Sequence, residues 1–317
     1  MIEVPETVAL SDDLTGALGL SMLIAKENIP VLTLTAWDRG ELALEGRTEA
    51  GDADFAVDSL SQANALVINT DTRSLDSDMA RDRIAEVMNH LPPETRVVKR
   101  FDTTLRGHLG AELDEMLRHR PKAAAVVVPA FPAGGRHCLG GYQLINGVPI
   151  ELTEAATDPR WPIRSSYVPD YFRAAVSGRS GRVRHLPLQA LSNSDEELRA
   201  DLKKMLQPGA VLVVDAYSDA DINRIAQALI GVDGEYILTS PGVFISEVLG
   251  LLCQKTTRHP ALAVTGSATE LTRKQVSALE EKYKVSYLEI PADAIVQGTV
   301  SRTTEEFLAV WNREKKD

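Results

Sequence analysis

Short apolar runs and amphipathic stretches alternate along most of the chain. "TVAL" (7–10), "VLTL" (31–34) and "NALVINT" (64–70) read as strands, the last one continuous enough for a strand covered on both faces. Apolar positions recur at helical spacing over 15–26, and a second helix is predicted from Asp76 to His90. "RVVKRF" (96–101) and "AAAVVVPAF" (123–131) read as strands flanking a helical "LGAELDEMLRHR" (109–120). Such a rhythm predicts an α/β fold: a mainly parallel, doubly wound sheet with helices on both faces.

Between Phe131 and Pro169 the rhythm breaks into a Pro- and Gly-rich excursion. Asn146-Gly147 stands between two extended runs and predicts a two-residue hairpin. Alternation resumes with an N-capped helix at 194–206, a strand at 210–216 and a capped helix at 218–230. A strand–turn–helix unit follows in "EYILTSPGVFISEVLGLL", then a polar link at 254–260. "ALAVTGSATELTRKQVSALEEKYK" (261–284) opens another such unit, with a strand at 285–290 and a helix near 304–313 beyond it. The pattern predicts a domain over 1–235 and a smaller α/β lobe over 236–317, short for a compact domain of ~100 residues and read as incomplete.

Composition narrows the function. The 317 residues are 44% hydrophobic, ordinary for a globular protein. The net charge of −11 argues against a nucleic-acid partner, whose phosphates need a basic face. No apolar run approaches the ~20 residues of a membrane helix, and the N-terminus has no basic, apolar leader pattern. Cys138 and Cys253 are far apart, which suits a reducing cytoplasm better than a disulfide framework or a zinc site. The six His are scattered without ligand spacing, so no resident metal site is expected.

Chemistry concentrates at the predicted strand exits, where open α/β sheets bind ligands. "SDDLTGA" (11–17) empties a strand into Asp12 and Asp13; one aspartate suffices as a helix cap and the other is surplus. "VVKRFDTTLRGHLG" (97–110) gathers Lys99, Arg100, Asp102, Thr103, Thr104, Arg106 and Gly107 before a helix, a set that reads as an anion site or as a salt-bridged turn. "NTDTRSL" (69–75) adds Asp71 and Arg73. In "VPAFPAGGRHCLGG" (128–141), Gly134-Gly135 would let backbone approach a ligand and Arg136 supplies charge. Neither G-x-x-x-x-G-K-[ST] nor a G-x-G-x-x-G after a strand is found.

In this order the stretches resemble the four-carbon acid sugar kinase family: "SDDLTGA", "NTDTRSL", "KRFDTTLRGHLGAEL", "PAFPAGGRHCLGGYQLINGVPIELTEAATDP", "VVDAYSDADI" and "AVTGSATELTRKQ". The resemblance runs from about residue 8 to 284. It implies a two-lobed kinase that uses ATP, with Mg²⁺, to phosphorylate a threonate, erythronate or oxo-tetronate. The N-terminal lobe would bind the small anionic sugar acid and the C-terminal lobe the nucleotide. Asp12, Asp13, Arg73, Asp102, Arg106 and Arg136 become sugar-acid site candidates, and Gly266 and Ser267 match the first nucleotide-lobe loop.

On chemical grounds the acid's carboxylate is assigned to Arg106 and Arg136, with Lys99 either assisting or serving as a salt-bridge partner. Asp12 or Asp13 would hold sugar hydroxyls, and one of Asp12, Asp13 and Asp102 would be the general base. Thr103, Thr104, Gly107 and Gly135 complete the expected substrate contacts. Four departures from the family pattern stand out. Thr103 replaces a usual Ser, His108 a usual Asn, and "TSPG" (239–242) a usual G-S-A-G, while the later Gly-rich nucleotide loop is not found. The expected partners, besides substrate, are a second copy of the chain or a separate chain completing the nucleotide lobe. The competing function is a sugar-acid-binding protein, or half of a split kinase, without a complete ATP lobe.

Overall fold

The computed structural model describes residues 5–35, 37, 63–173, 182–253 and the single positions 274, 275 and 277. Two compact units divide the chain, Met1–Thr257 and Arg258–Asp317. The expected boundary after residue 235 is corrected by this division. The strand that begins at Glu235 lies inside the first unit's sheet, so cutting there would remove a central strand. Gly266, Ser267 and the strand and helix expected beyond residue 284 lie outside the described residues.

Among the described residues the main sheet has eight strands: β1 (Thr7–Ser11), β2 (Val31–Leu34), β3 (Ala65–Asn69), β4 (Arg96–Arg100), β5 (Ala123–Val127), β9 (Val183–Leu186), β10 (Val211–Val214) and β11 (Glu235–Ser240). Their spatial order is β2-β3-β1-β4-β11-β5-β10-β9, and every pairing is parallel. Seven α-helices stand among the described residues: α1 (Leu14–Lys26), α2 (Ser77–His90), α3 (Leu109–His119), α4 (Val168–Arg173), α5 (Asp195–Met205), α6 (Asp219–Ile230) and α7 (Val243–Leu252).

Strand residues alternate between two cores because side chains of a strand alternate faces. Ala9, Val67 and Val126 join one core with Leu20 of α1, Leu202 of α5, Ile225 of α6 and Phe244 of α7. Val8, Leu10, Ile68 and Val127 join the other with Ile84 of α2, Leu113 of α3 and Phe172 of α4. The doubly wound prediction is therefore met. Two elements escaped the pattern. Among the described residues β9, "VRHL", pairs on one side only, with β10, and an edge strand tolerates the polar Arg184 and His185. α4 is only six residues long, too short to show a helical period.

The excursion forms a small antiparallel sheet of β6 (Arg136–Leu139), β7 (Tyr142–Ile145) and β8 (Val148–Pro149). Asn146 (φ 51°) and Gly147 (φ 81°) make the hairpin turn, both in the left-handed region that a mirror-type two-residue turn requires. Asp215, at the exit of β10, pins this sheet. It accepts from the backbone N–H of Gly140 (2.7 Å), Gly141 (2.9 Å) and Leu188 (3.1 Å). His185 Nε2 (2.8 Å) and Cys138 Sγ (3.4 Å) contact the same carboxylate. Burial pushes Asp215 up, but His185 and the glycine N–H groups outweigh it and hold the carboxyl below its ordinary range.

Candidate functional site

Sheet order places the motifs. β1 sits between β3 and β4, so the chain crosses over it and the strand order reverses there, the position where open α/β sheets form a cleft. Ser11, Asn69 and Arg100 share one register line at the ends of β1, β3 and β4. The loops that follow carry "DD", "TDTR" and "DTTLRG".

Asp13 is the helix cap: its carboxylate accepts from Gly16 N at 3.0 Å at the start of α1. Asp12 is buried, at 2% exposure. Arg73 joins both, donating from Nε to Asp12 Oδ2 (2.8 Å) and from Nη1 to Asp13 Oδ2 (2.9 Å). Arg100 does the same from the other side, with Nη1 at 2.7 Å from Asp13 Oδ1 and 3.4 Å from Asp12 Oδ1. Burial pushes the Arg73 guanidinium down, but the charges of Asp12, Asp102 and Asp13 outweigh it and hold the group above its usual value.

Glycines make this packing possible. A Cβ on Gly16 would lie 1.7 Å from Arg100 Nη1. Gly107 (φ 99°) packs against Asp12, and a Cβ there would lie 2.9 Å from Asp12 Oδ2. Beside it, Leu105 is buried and held at φ 60°, a strained conformation for a branched residue, in the loop that turns Arg106 back on Asp102.

Asp102 accepts from Arg106 Nε (2.7 Å), from the Thr104 N–H (3.3 Å) and from the Thr104 hydroxyl. Burial pushes its carboxyl up, but the bonds from Arg106 and Thr104 and the charge of Arg73 prevail and hold it down to about 2. Arg106 is raised above its usual value, first by its bond to Asp102. Its Nη1 also reaches Asp158 Oδ2 at 3.4 Å. Asp158 begins a turn, Asp158–Trp161, that touches both neighbouring loops. Arg160 donates to the Ser74 carbonyl, and the Trp161 ring stands edge-on to His108 at 4.7 Å. His108 Nε2 in turn lies 2.9 Å from the Leu75 carbonyl.

The structure thus brings Asp12, Asp13, Arg73, Asp102, Thr104, Arg106 and Gly107 together. Thr103 joins through its backbone, its carbonyl accepting from Gln143 Nε2 at 3.1 Å, which ties β7 to this loop. Three expected contacts differ. Lys99 lies on the other face of β4 from Arg100, fully buried and ion-paired with Glu112 of α3, so it serves as the salt-bridge partner. Gly135 (φ 71°) makes room for Asn146, whose Oδ1 would lie 2.1 Å from a Cβ there. Arg136 turns back and donates to the Gly134 carbonyl of its own loop.

Two residues of the cluster received no role from the sequence. Arg100 was visible as a charge at a strand end, but only register shows that it shares Asp12 and Asp13 with Arg73. Asp158 lies far along the chain inside the excursion, and its one local signal is the Asp-Pro of a turn.

A D-erythronate kinase of Heliobacterium modesticaldum is 30% identical over 91% of this chain and 63% of its own length. A D-threonate kinase of Salmonella typhimurium is 29% identical over 93% and 66%. The chain therefore spans just under two thirds of these relatives. A Haemophilus influenzae protein superposes with a TM-score of 0.65 at 17% identity, covering 90% of this chain and 67% of that one. A Bordetella bronchiseptica protein, solved as a domain-swapped dimer with bound citrate, superposes with a TM-score of 0.62 at 26% identity, over 90% and 67%. The sugar-binding N-terminal domain family matches residues 7–248, which takes in nearly all of both cores and every loop of the cluster, and the chain belongs to that family.

Proposed function

We propose that the cleft at the ends of β1, β3 and β4 binds a four-carbon sugar acid and presents one of its hydroxyls for phosphoryl transfer from ATP. The observation that carries this reading is the interleaving of the Arg73, Arg100 and Arg106 guanidiniums with carboxylates at the point where strand order reverses. Guanidinium forks suit a substrate carboxylate, and carboxylates suit sugar hydroxyls. The kinase names of the relatives supply the reaction class. Citrate, itself a hydroxy acid, in the Bordetella structure agrees with an anionic ligand.

Arg106 is the residue assigned to the substrate carboxylate, because its side chain is 35% exposed while Arg73 and Arg100 are turned inward. Asp13 is assigned as general base. Its side chain is 25% exposed against 3% for Asp12, so a hydroxyl can reach it. A carboxyl held at about 2, like Asp102, is a weak proton acceptor and serves to aim Arg106. Phosphoryl transfer is then mainly a matter of positioning and charge.

ATP and Mg²⁺ enter through the family. No group of three or more metal-ligating side chains stands together among the described residues, and Asp12 and Asp13 already face guanidiniums. The described residues therefore do not fit a magnesium cage, and no step is assigned to the metal. The nucleotide is assigned to the second unit through Gly266 and Ser267. The free thiols Cys138 and Cys253 suit a cytoplasmic enzyme, and the domain-swapped relative supports a second copy of the chain as partner.

Calorimetry with D-erythronate, D-threonate and MgATP, each alone, tests the reading, followed by a phosphoryl-transfer assay. Acid binding with transfer is the expected result. Acid binding without nucleotide binding would mark a sugar-acid-binding chain, and no acid binding would overturn the site. Asp13→Asn keeps a good helix cap, because Asn caps as well as Asp. It should lower turnover by about 10²–10⁴ and also lower the melting temperature, because Arg73 and Arg100 lose a charged partner while the cap is kept.

A further inference from the structure

We infer that Asp158 occupies, in the ligand-free protein, the place on Arg106 that the substrate's carboxylate takes, so that entry to the site requires an anion able to displace it. The inference rests on the assignment of Arg106 to the substrate carboxylate.

Arg106 holds two carboxylates unequally. Its Nε bond to Asp102 is 2.7 Å, and Asp102 is buried at 6% exposure. Its Nη1 contact with Asp158 is 3.4 Å, between side chains 35% and 22% exposed. One grip is fixed and the other is loose and open to solvent. The two oxygens of Asp158 are also divided. Oδ1 closes the turn by accepting from Arg160 N (3.0 Å) and Trp161 N (2.8 Å), while Oδ2 faces Arg106. Oδ2 can therefore release the guanidinium while Oδ1 keeps the turn closed.

Charge favours exchange over addition. Arg73, Arg100 and Arg106 already face the four carboxylates Asp12, Asp13, Asp102 and Asp158. A substrate carboxylate added to this set would bring a fifth negative group against three positive ones. A substrate carboxylate that replaces Asp158 on Arg106 leaves the balance at the guanidiniums as it was. A neutral polyol of the same length offers no charge with which to displace Asp158, so the contact selects acids over alcohols. The Asp158–Trp161 turn would shift with the exchange. Trp161 stands edge-on to His108, and its fluorescence reports that shift.

Calorimetric titration of D-erythronate and of D-threonate into the wild-type chain and into Asp158→Asn tests the exchange. Asn retains an oxygen for the two turn N–H groups and loses the charge. The acid that binds the wild type is expected to bind the variant about two- to fivefold more tightly, the factor for a partly exposed ion pair that no longer has to break. Asp158→Ser, which also accepts from the turn, is expected to tighten binding likewise and covers the case in which the Asn variant does not melt cooperatively. Weaker binding in the variants would show Asp158 to be a positioning residue for Arg106, and unchanged binding would show that it is not displaced; either result overturns the inference while leaving the acid site standing. If the wild type binds neither acid, the proposed function fails and this inference fails with it.

Discussion

Asp102 illustrates how a neighbour's chemistry decides what a residue can do. From composition it was as good a base as Asp12 or Asp13. In place, Arg106 and Thr104 hold its carboxyl at about 2 against the desolvation that pushes it up. A carboxyl depressed on folding stabilises the protein above its unfolded value near 4, and that contribution is lost as pH falls from there through about 2. The expected contribution at neutral pH is about 2 kcal/mol. Urea unfolding of the wild type and of Asp102→Asn should therefore show a stability gap at pH 6 that closes as pH is lowered towards 2.5. A gap independent of pH would show that Asp102 titrates normally. Lys99 and Arg100 make the same point side by side. They are adjacent and both cationic, yet strand alternation sends one to Glu112 and the other to Asp13.

Among the elements, α1 joins fold to site most closely. Its cap is Asp13, its first turn contains Gly16, and Arg100 lies across that turn. Glycine inside a helix ordinarily costs about 1 kcal/mol relative to alanine. Here an alanine Cβ would strike Arg100 Nη1, which Asp13 holds, and overpacking of that kind costs about 1–3 kcal/mol. Gly16→Ala is therefore expected to lose about 1 kcal/mol net in urea unfolding, and to weaken acid binding, although the helix itself gains. A more stable variant would show that Arg100 moves freely. The capped helices α1, α2, α5 and α6 were legible because their caps are local. Ser194 with Glu197 and Ser218 with Asp221 form capping boxes within four residues of sequence. β9 was not legible, because its membership depends on β10, which lies elsewhere in the chain.

For the whole molecule, the sheet order matters more than any motif. β11 enters the sheet between β4 and β5, two strands that lie far earlier in the chain. That insertion moves the end of the first unit to Thr257. All cluster residues and both described cores lie before that point. A chain ended at Thr257 should consequently unfold cooperatively and keep acid binding within about threefold of the full chain, measured by calorimetry. Loss of acid binding with the fold intact would place part of the acid site in residues 258–317.

Periodicity and local turn chemistry were enough to determine the α/β class, the hairpin at Asn146-Gly147, the capped helices and the polar loops at the strand exits. Each of these depends on interactions within a few residues. Partnership across the chain was decided by tertiary structure. Arg73 and Arg100 meet the Asp12–Asp13 pair because β3 and β4 flank β1, and Asp158 meets Arg106 because the excursion folds back over the β4 exit loop. Arg136 and Lys99 have charged side chains suited to a ligand, and Gly135 a backbone suited to close approach, yet Arg136 donates to the Gly134 carbonyl, Lys99 pairs with Glu112 and Gly135 packs against Asn146. An ion pair or a close approach is a property of two positions at once, and no single stretch of sequence specifies both.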